Sequence, residues 1–286
     1  MRAVLHIGIG LPTTASGVTG ATVLEWARRA DAGTSPFASV GVFDRLVYDS
    51  FEPLATLAAV AAVTERVRLA TTVVIGPLRN AALLAKEAAT IDQLSNGRLT
   101  LGLALGARRD DYEAAGIDYA GRGARLDEQL ADLRDIWEDD KIGPRPVQPG
   151  GPELIVGGLD DAAYARAARV ADGFMHNGGP PRAFAAAADR ARSAWVAAGR
   201  PGQPQLWAMG YFALGDTEAE AGHAYLLDYY AFTGPFAERI AAGLLTTPQS
   251  IAAFTRGYAE AGCDHLMLFP TSADVGQLEQ LADALQ

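Results

Sequence analysis

The stretch that most constrains this chain runs from residue 90 to residue 108 and reads TIDQLSNGRLTLGLALGAR. Its first half has the character of a helix, and Asn96-Gly97 supplies the stop, because glycine just past a helix end accepts a left-handed backbone without steric cost. Arg98 then opens a run with leucine at 99, 101, 103 and 105. Such a run is too short and too apolar for a surface helix. It reads as a strand buried on both faces, the habit of a parallel sheet covered by helices. Thr100, Gly102, Ala104 and Gly106 fall between the leucines and share the other face, so something bulky must approach that face: packed barrel side chains or a ligand.

The same logic extends along the chain. Strands are expected at 3–9, 39–43, 66–75, 99–106, 153–156, 172–175, 205–214 and 264–269. Helices are expected at 19–32, 52–63, 79–95, 122–139, 160–171, 182–198, 216–230, 235–245, 247–261 and 274–285. Thr19 is suited to an N-cap, and Pro53 and Pro248 suit the first helical position. Residues 110–119 read as a loop with one helical turn. The Pro/Gly-rich segment 143–152 passes for a linker but reads better as the loop before the fifth strand. Eight strands alternating with helices predict a parallel sheet closed into a (β/α)8 TIM barrel spanning 1–286 as one domain. An open doubly wound sheet is the alternative, but Gly8-Ile-Gly10-Leu-Pro-Thr lacks the third glycine of a dinucleotide fingerprint.

A net charge of −10 argues against nucleic acid as a partner. The single cysteine, Cys263, fits a reducing cytoplasm and reads as a buried thiol. No targeting segment and no membrane span is expected. The acidic pairs Asp110-Asp111, Asp139-Asp140 and Asp160-Asp161 have no histidine at ligand spacing, which argues against a metal. No Gly-x-Ser-x-Gly elbow and no convincing pair of strand-end carboxylates point to hydrolysis.

In a barrel the chemistry lies where the strands end. Gly157-Gly158-Leu159-Asp160 follows a strand and precedes a helix, so it offers backbone N–H groups and a helix dipole to an anion, or else a tight turn capped by Asp160. Arg108 and Arg109 offer a bidentate pair for a phosphate or acidic substrate, or else a solvated pair matched to Asp110 and Asp111. Asp44-Arg45 reads either as a site element or as a surface pair. Among the four histidines, His176 is placed best for proton transfer. His6 and His265 read as satisfied barrel residues, and His223 as a surface residue. Tyr229, Tyr230 and Phe232 line an apolar pocket or belong to the core.

The element Asp92-Gln-Leu-Ser-x-Gly-Arg98, running into a Leu/Gly strand that ends in Gly106, resembles the bacterial luciferase-like family of flavin- or deazaflavin-dependent oxidoreductases. The resemblance continues through Gly157-Gly158 to Ala261–Leu266. It implies a flat tricyclic cofactor in the barrel mouth, FMN or alternatively the deazaflavin coenzyme F-420, with its phosphate at Gly157, Gly158 and Leu159. It also implies a bulge, often with a cis peptide, at Thr72–Val73 beneath the cofactor's central ring, with Gly106 and Arg108 completing the cofactor site. Where the family often has tryptophan, an acid and histidine, this chain reads Phe43-Asp44-Arg45-Leu46. Asp44 and Arg45 at that position, and His176 by its place after the sixth strand, are the catalytic candidates. Asp160 stands where the family usually has a small hydroxyl residue, so it must turn away from a phosphate or weaken its binding. The reaction implied is monooxygenation of a small organic substrate by reduced FMN and oxygen, the FMN coming from a separate flavin reductase. Hydride transfer with coenzyme F-420 is the second reading, and a non-catalytic relative the third. The Ala-rich helices after strands two and three form either a homodimer interface, as the family suggests, or ordinary packing.

Overall fold

The computed structural model describes residues 4–139 and 141–286. The start of the first expected strand and Asp140 lie outside the described residues. The elements are β1 (His6–Gly10), α1 (Gly20–Asp31), β2 (Ser39–Val42), α2 (Pro53–Ala61), β3 (Arg68–Thr71), β4 (Val74–Ile75), α3 (Ala81–Leu94) and β5 (Leu99–Ala104). They continue with α4 (Arg109–Ala115), α5 (Arg122–Glu138), β6 (Glu153–Gly157), α6 (Asp161–Val170), β7 (Gly173–His176) and α7 (Pro181–Ala197). The chain finishes with β8 (Gln205–Phe212), α8 (Asp216–Tyr229), α9 (Phe236–Ala241), α10 (Pro248–Glu260), β9 (His265–Pro270) and α11 (Gly276–Ala284).

The strands run in the order β3-β2-β1-β9-β8-β7-β6-β5-β4, and a β3–β5 pairing closes the circle. Every ladder is parallel. Strands β3 and β4 are two halves of one stave, so the barrel has eight. The single strand expected at 66–75 is divided into β3 and β4 on either side of the Thr72–Val73 peptide, which is cis.

Alternation along each strand sorts side chains into two cores. Val40, Val42, Leu69, Leu99, Leu101, Leu103, Leu154 and Val156 face the helices and join the large outer cluster. Phe43, Ala70, Ile155, Met175, Trp207, Met209, Tyr211, Met267 and Phe269 fill the lumen. Polar side chains close its lower end: Arg68 donates to Thr100 Oγ1 at 2.8 Å and pairs with Glu153 at 3.2 Å, and His265 stacks between His6 and Trp207. The expectation of two satisfied histidines is met only in part. His6 is exposed, and His265 Nδ1 is buried without a partner. Burial and the neighbouring His6 and Arg68 hold the His265 pKa down at about 3.

The helix starts follow local chemistry. Thr19, Glu52, Asn80, Asp160 and Thr247 each cap a helix through a side-chain oxygen. Helix α3 ends as expected, with Asn96 and Gly97 both at positive φ (55° and 80°). The loop of one turn expected at 110–119 is instead the seven-residue helix α4.

Motif residues around that turn act as fasteners. Asp92 is fully buried, and its carboxylate accepts from the Val147 and Gln148 N–H groups at 2.8 and 3.0 Å. The 143–152 loop is thereby tied down on α3. Arg98 donates to the carbonyls of Thr64, Val67 and Ser95 at 2.6–2.7 Å, joining the loop after α2 to the start of β5. Cys263 is buried at 1% exposure, and burial pushes its thiol pKa up.

Candidate functional site

The strand ends form a mouth with two unlike halves. On one side are β4, β5 and β6, where the side chains are small. An added Cβ at Gly157 would lie 3.4 Å from Ala104 Cβ and 3.5 Å from Val73 Cγ1, so these three residues from three staves converge on one cradle. Thr72 anchors the cradle's edge by donating Oγ1–H to the Val42 carbonyl at 3.0 Å. Gly106 follows at positive φ (70°), and Tyr112 holds the adjoining Leu105 carbonyl. Val73, Ala104, Leu105, Gly106 and Gly158 are half-buried, whereas Leu159 is 63% exposed at the rim. Residues distant in sequence are thus gathered as the sequence reading requires.

Asp160 does not point away into solvent alone. Its Oδ1 accepts from Ala163 N–H at 2.9 Å, so its carboxylate caps α6. It takes up one of the free donors that the helix start would otherwise offer to an anion.

The other half, on β1, β2, β8 and β9, is filled with aromatic rings. Gly10 makes this possible, because a Cβ there would lie 2.0 Å from the Phe269 ring. Phe269 stacks on Phe43 with centroids 3.9 Å apart. Tyr225, Tyr229 and Tyr230 descend from the end of α8 onto this layer. The hydroxyls of Tyr211 and Tyr230 are 2.7 Å apart, and Tyr225 reaches Thr14 at 2.7 Å. Burial raises the pKa of all four tyrosines, which keeps them neutral at ordinary pH. Tyr229 is buried and Tyr230 packs on the lumen cluster, so of the two readings the core one describes them. Phe232 is exposed and lies under Arg108 instead.

The charged candidates are rearranged relative to expectation. Asp44 and Arg45 are both buried at 8% exposure and do not form a surface pair. Asp44 accepts from Ile75 N–H at 2.8 Å and from Arg79 at 2.5 and 3.1 Å. Burial raises its pKa, with Arg79 working against that. With its oxygens engaged in this way, Asp44 fixes the turn at β4. Arg45 donates Nε–H to Asp111 at 3.1 Å, and Asp111, fully buried, also accepts from Leu46 and Val47 N–H at 3.0 and 2.7 Å.

Arg108 and Arg109 are not the solvated partners of Asp110 and Asp111. Arg108 donates to the Tyr229 carbonyl and lies over the Tyr229 and Phe232 rings, while Arg109 lies over Tyr119. It is Arg45 that faces both acids.

His176 also departs from expectation. Alternation on β7 puts Met175 in the lumen and turns His176 toward the helices, edge-on to Phe184 of α7 with centroids 6.0 Å apart. Its Nδ1 is buried without a partner, and burial lowers its pKa. The strand end was rightly located, but the side chain looks outward. Tyr211 stands at a strand end, where the barrel rule looks for chemistry, but Arg79 escaped the sequence reading. Tyr225 had a signal, its i, i+4 spacing to Tyr229, whereas Arg79 had none.

A family model described as luciferase-like monooxygenase matches residues 3–286. The chain belongs to the luciferase-like monooxygenase family. An uncharacterized protein of Mycobacterium tuberculosis is 38% identical over 144 residues, which is 46% of this chain and 49% of that protein. An FMNH(2)-dependent dimethylsulfone monooxygenase of Pseudomonas fluorescens is 31% identical over 187 residues, 59% of this chain and 50% of the relative. The chain thus spans about half the length of these curated relatives. The structure of an F-420-dependent secondary alcohol dehydrogenase superposes with a TM-score of 0.82 at 17% identity, covering 100% of both chains. For this luciferase-like chain, that likeness shows the barrel fold. Among the described residues no helix is long and apolar enough to cross a membrane.

Proposed function

We propose that this chain is a flavin-dependent monooxygenase that uses reduced FMN and oxygen on a small organic substrate. One observation carries the reading: the cradle of Val73, Ala104 and Gly157, open on one side of the mouth and faced by an aromatic wall on the other. A flat ring system fits such a cradle, since any larger side chain at Gly157 would fill it. Gly106, Gly158 and Leu159 would hold the cofactor at the rim, with the phosphate at the start of α6. When bound, reduced FMN supplies the electrons that divide dioxygen between substrate and water.

The chain's own part is to bind, orient and exclude water. Phe43, Phe269 and Tyr211 give the substrate an apolar floor. The Tyr211–Tyr230 bridge spends one hydroxyl hydrogen and leaves the other free to donate to a substrate oxygen. Arg45 remains a site residue by its position, as an anchor of charge. A separate reductase, a cytoplasmic setting and a homodimer are parts of the same proposal.

Hydride transfer with coenzyme F-420 is the second reading, supported by the likeness to the secondary alcohol dehydrogenase. Titration of the purified chain with FMN, FMNH2 and coenzyme F-420, read by melting temperature and fluorescence, separates them. Ligand at one hundred times its dissociation constant adds about 2.7 kcal/mol of stability. Stabilisation by FMNH2, and oxygen uptake once a flavin reductase and NADH are added, is the expected result. Stabilisation by coenzyme F-420 alone overturns it in favour of hydride transfer, and a response to none of the three in favour of a non-catalytic relative.

A further inference from the structure

We propose that Arg45 and Arg108 form a receptor for a carboxylate, so that the substrate carries an anionic group. This rests on the site reading above, because it assigns the substrate's charge at the same mouth. Arg45 follows the strand end that bears Phe43, and its side chain is only 5% exposed. Its Nε and Nη2 are engaged by Asp111 and by the Val47 carbonyl at 3.1 and 3.0 Å. Nη1 is buried and makes no hydrogen bond of good geometry, although the guanidinium approaches the Tyr229 hydroxyl and works to lower its pKa. A guanidinium donor left unsatisfied inside a protein is costly, and such a donor marks the place of a missing acceptor.

The second cation makes the acceptor's charge plain. Arg108 lies over the Tyr229 ring with its guanidinium carbon 4.8 Å from the centroid, and Arg45 lies 5.6 Å from the same centroid. Burial and the charge of Arg45 both push the Arg108 pKa down, as expected of two cations held near one another. The nearest full anion, Asp111, is already spent on Arg45 Nε and on two backbone N–H groups. Asp110 approaches Arg45 Nη2 at 3.7 Å but is half exposed. Two guanidinium groups sharing one aromatic ring, one of them with a free buried donor, suit a planar carboxylate that accepts from both. The aromatic wall beside them suits an apolar body on that carboxylate.

The test uses the purified chain without cofactor, titrated with benzoate and with benzamide and read by melting temperature and tyrosine fluorescence. Benzoate is expected to bind saturably and at least tenfold more tightly than benzamide. Arg108→Gln should remove at least tenfold of the benzoate affinity and leave benzamide unchanged. Because Arg45 holds the buried Asp111, Arg108 is the safer position, and Arg45→Lys serves as the second variant, expected to weaken benzoate while the far-UV spectrum stays native. Equal binding of the two probes, no benzoate binding up to about 10 mM, or full benzoate affinity in both variants overturns the proposal. FMN binding by Arg108→Gln separates the sources of charge. Unchanged FMN affinity supports a substrate carboxylate, and loss of FMN binding assigns the pair to the cofactor's phosphate and overturns it. If benzoate binds as expected while wild-type chain binds no FMN, the receptor stands and the flavin reading falls.

Discussion

The two halves of the barrel mouth are built on opposite principles. On β4, β5 and β6 the chain presents only the small side chains of Val73, Ala104 and Gly157, the cradle proposed for the cofactor. On β1, β2, β8 and β9 it fills the space itself with Phe43, Phe269, Tyr211 and the tyrosines of α8, and buried ion pairs tie this rim to the segments after β4 and β5. The filled half gains stability in the free protein. The open half forgoes it, since a groove of small side chains buries little apolar surface until a ligand arrives. Substitutions in the first should therefore register in folding, and substitutions in the second in binding.

The largest effect is expected at the filled half's ion pair. Asp111→Ala strands a buried Arg45 and two N–H groups, and should cost about 3–5 kcal/mol in urea unfolding. A cost under about 1 kcal/mol would show that the rim adds little to the stability of the filled half. Next, Gly157→Leu fills the cradle and should weaken FMN binding at least a hundredfold, about 2.7 kcal/mol, in a fluorescence titration. If FMN binds the variant as tightly as wild type, the open half is not the cofactor's place.

A control lies at the opposite end of the barrel. His265 has a pKa of about 3, below the ordinary 6.5. The unfolded chain binds the proton first, so stability is complete above about pH 6.5 and falls as the pH drops toward 3. Between pH 6.5 and pH 5 the loss should be about 1.6 kcal/mol, and His265→Asn should remove most of it. His176, also lowered by burial, adds a smaller fall of the same sign. If His265→Asn leaves the slope intact, the loss originates at the mouth. The smallest effect is expected from Asp160→Ser, which keeps a cap on α6 and removes a negative charge beside the proposed phosphate position. FMN should bind about three- to fivefold more tightly, with stability within about 0.5 kcal/mol of wild type. Unchanged FMN affinity would place the phosphate away from α6.

Much of the candidate site is legible in the sequence. Gly157-Gly158 after a strand, the small residues between the leucines of β5 and the Thr72–Val73 bulge could be named because each is local, or was carried by a family resemblance with the registers intact. What misled was direction. His176 was found at the right height on the barrel, yet one step of alternation turns its ring to Phe184. Arg108 and Arg109 stood beside Asp110 and Asp111 in sequence, yet adjacent residues on a helix diverge, and the acids are met by Arg45 from another loop.

By itself the sequence determined the order of strands and helices, the caps and turns, and hence the closed parallel barrel, because these follow from spacing within a few residues. The Asp92 and Arg98 fasteners belong to the same motif, although their partners, Val147 and Thr64, lie far along the chain. Only the tertiary structure decided which charges meet and which half of the mouth stays open. Those outcomes depend on where eight strand ends arrive in space and on which buried charge lies within reach of another, and no periodicity along one strand records either.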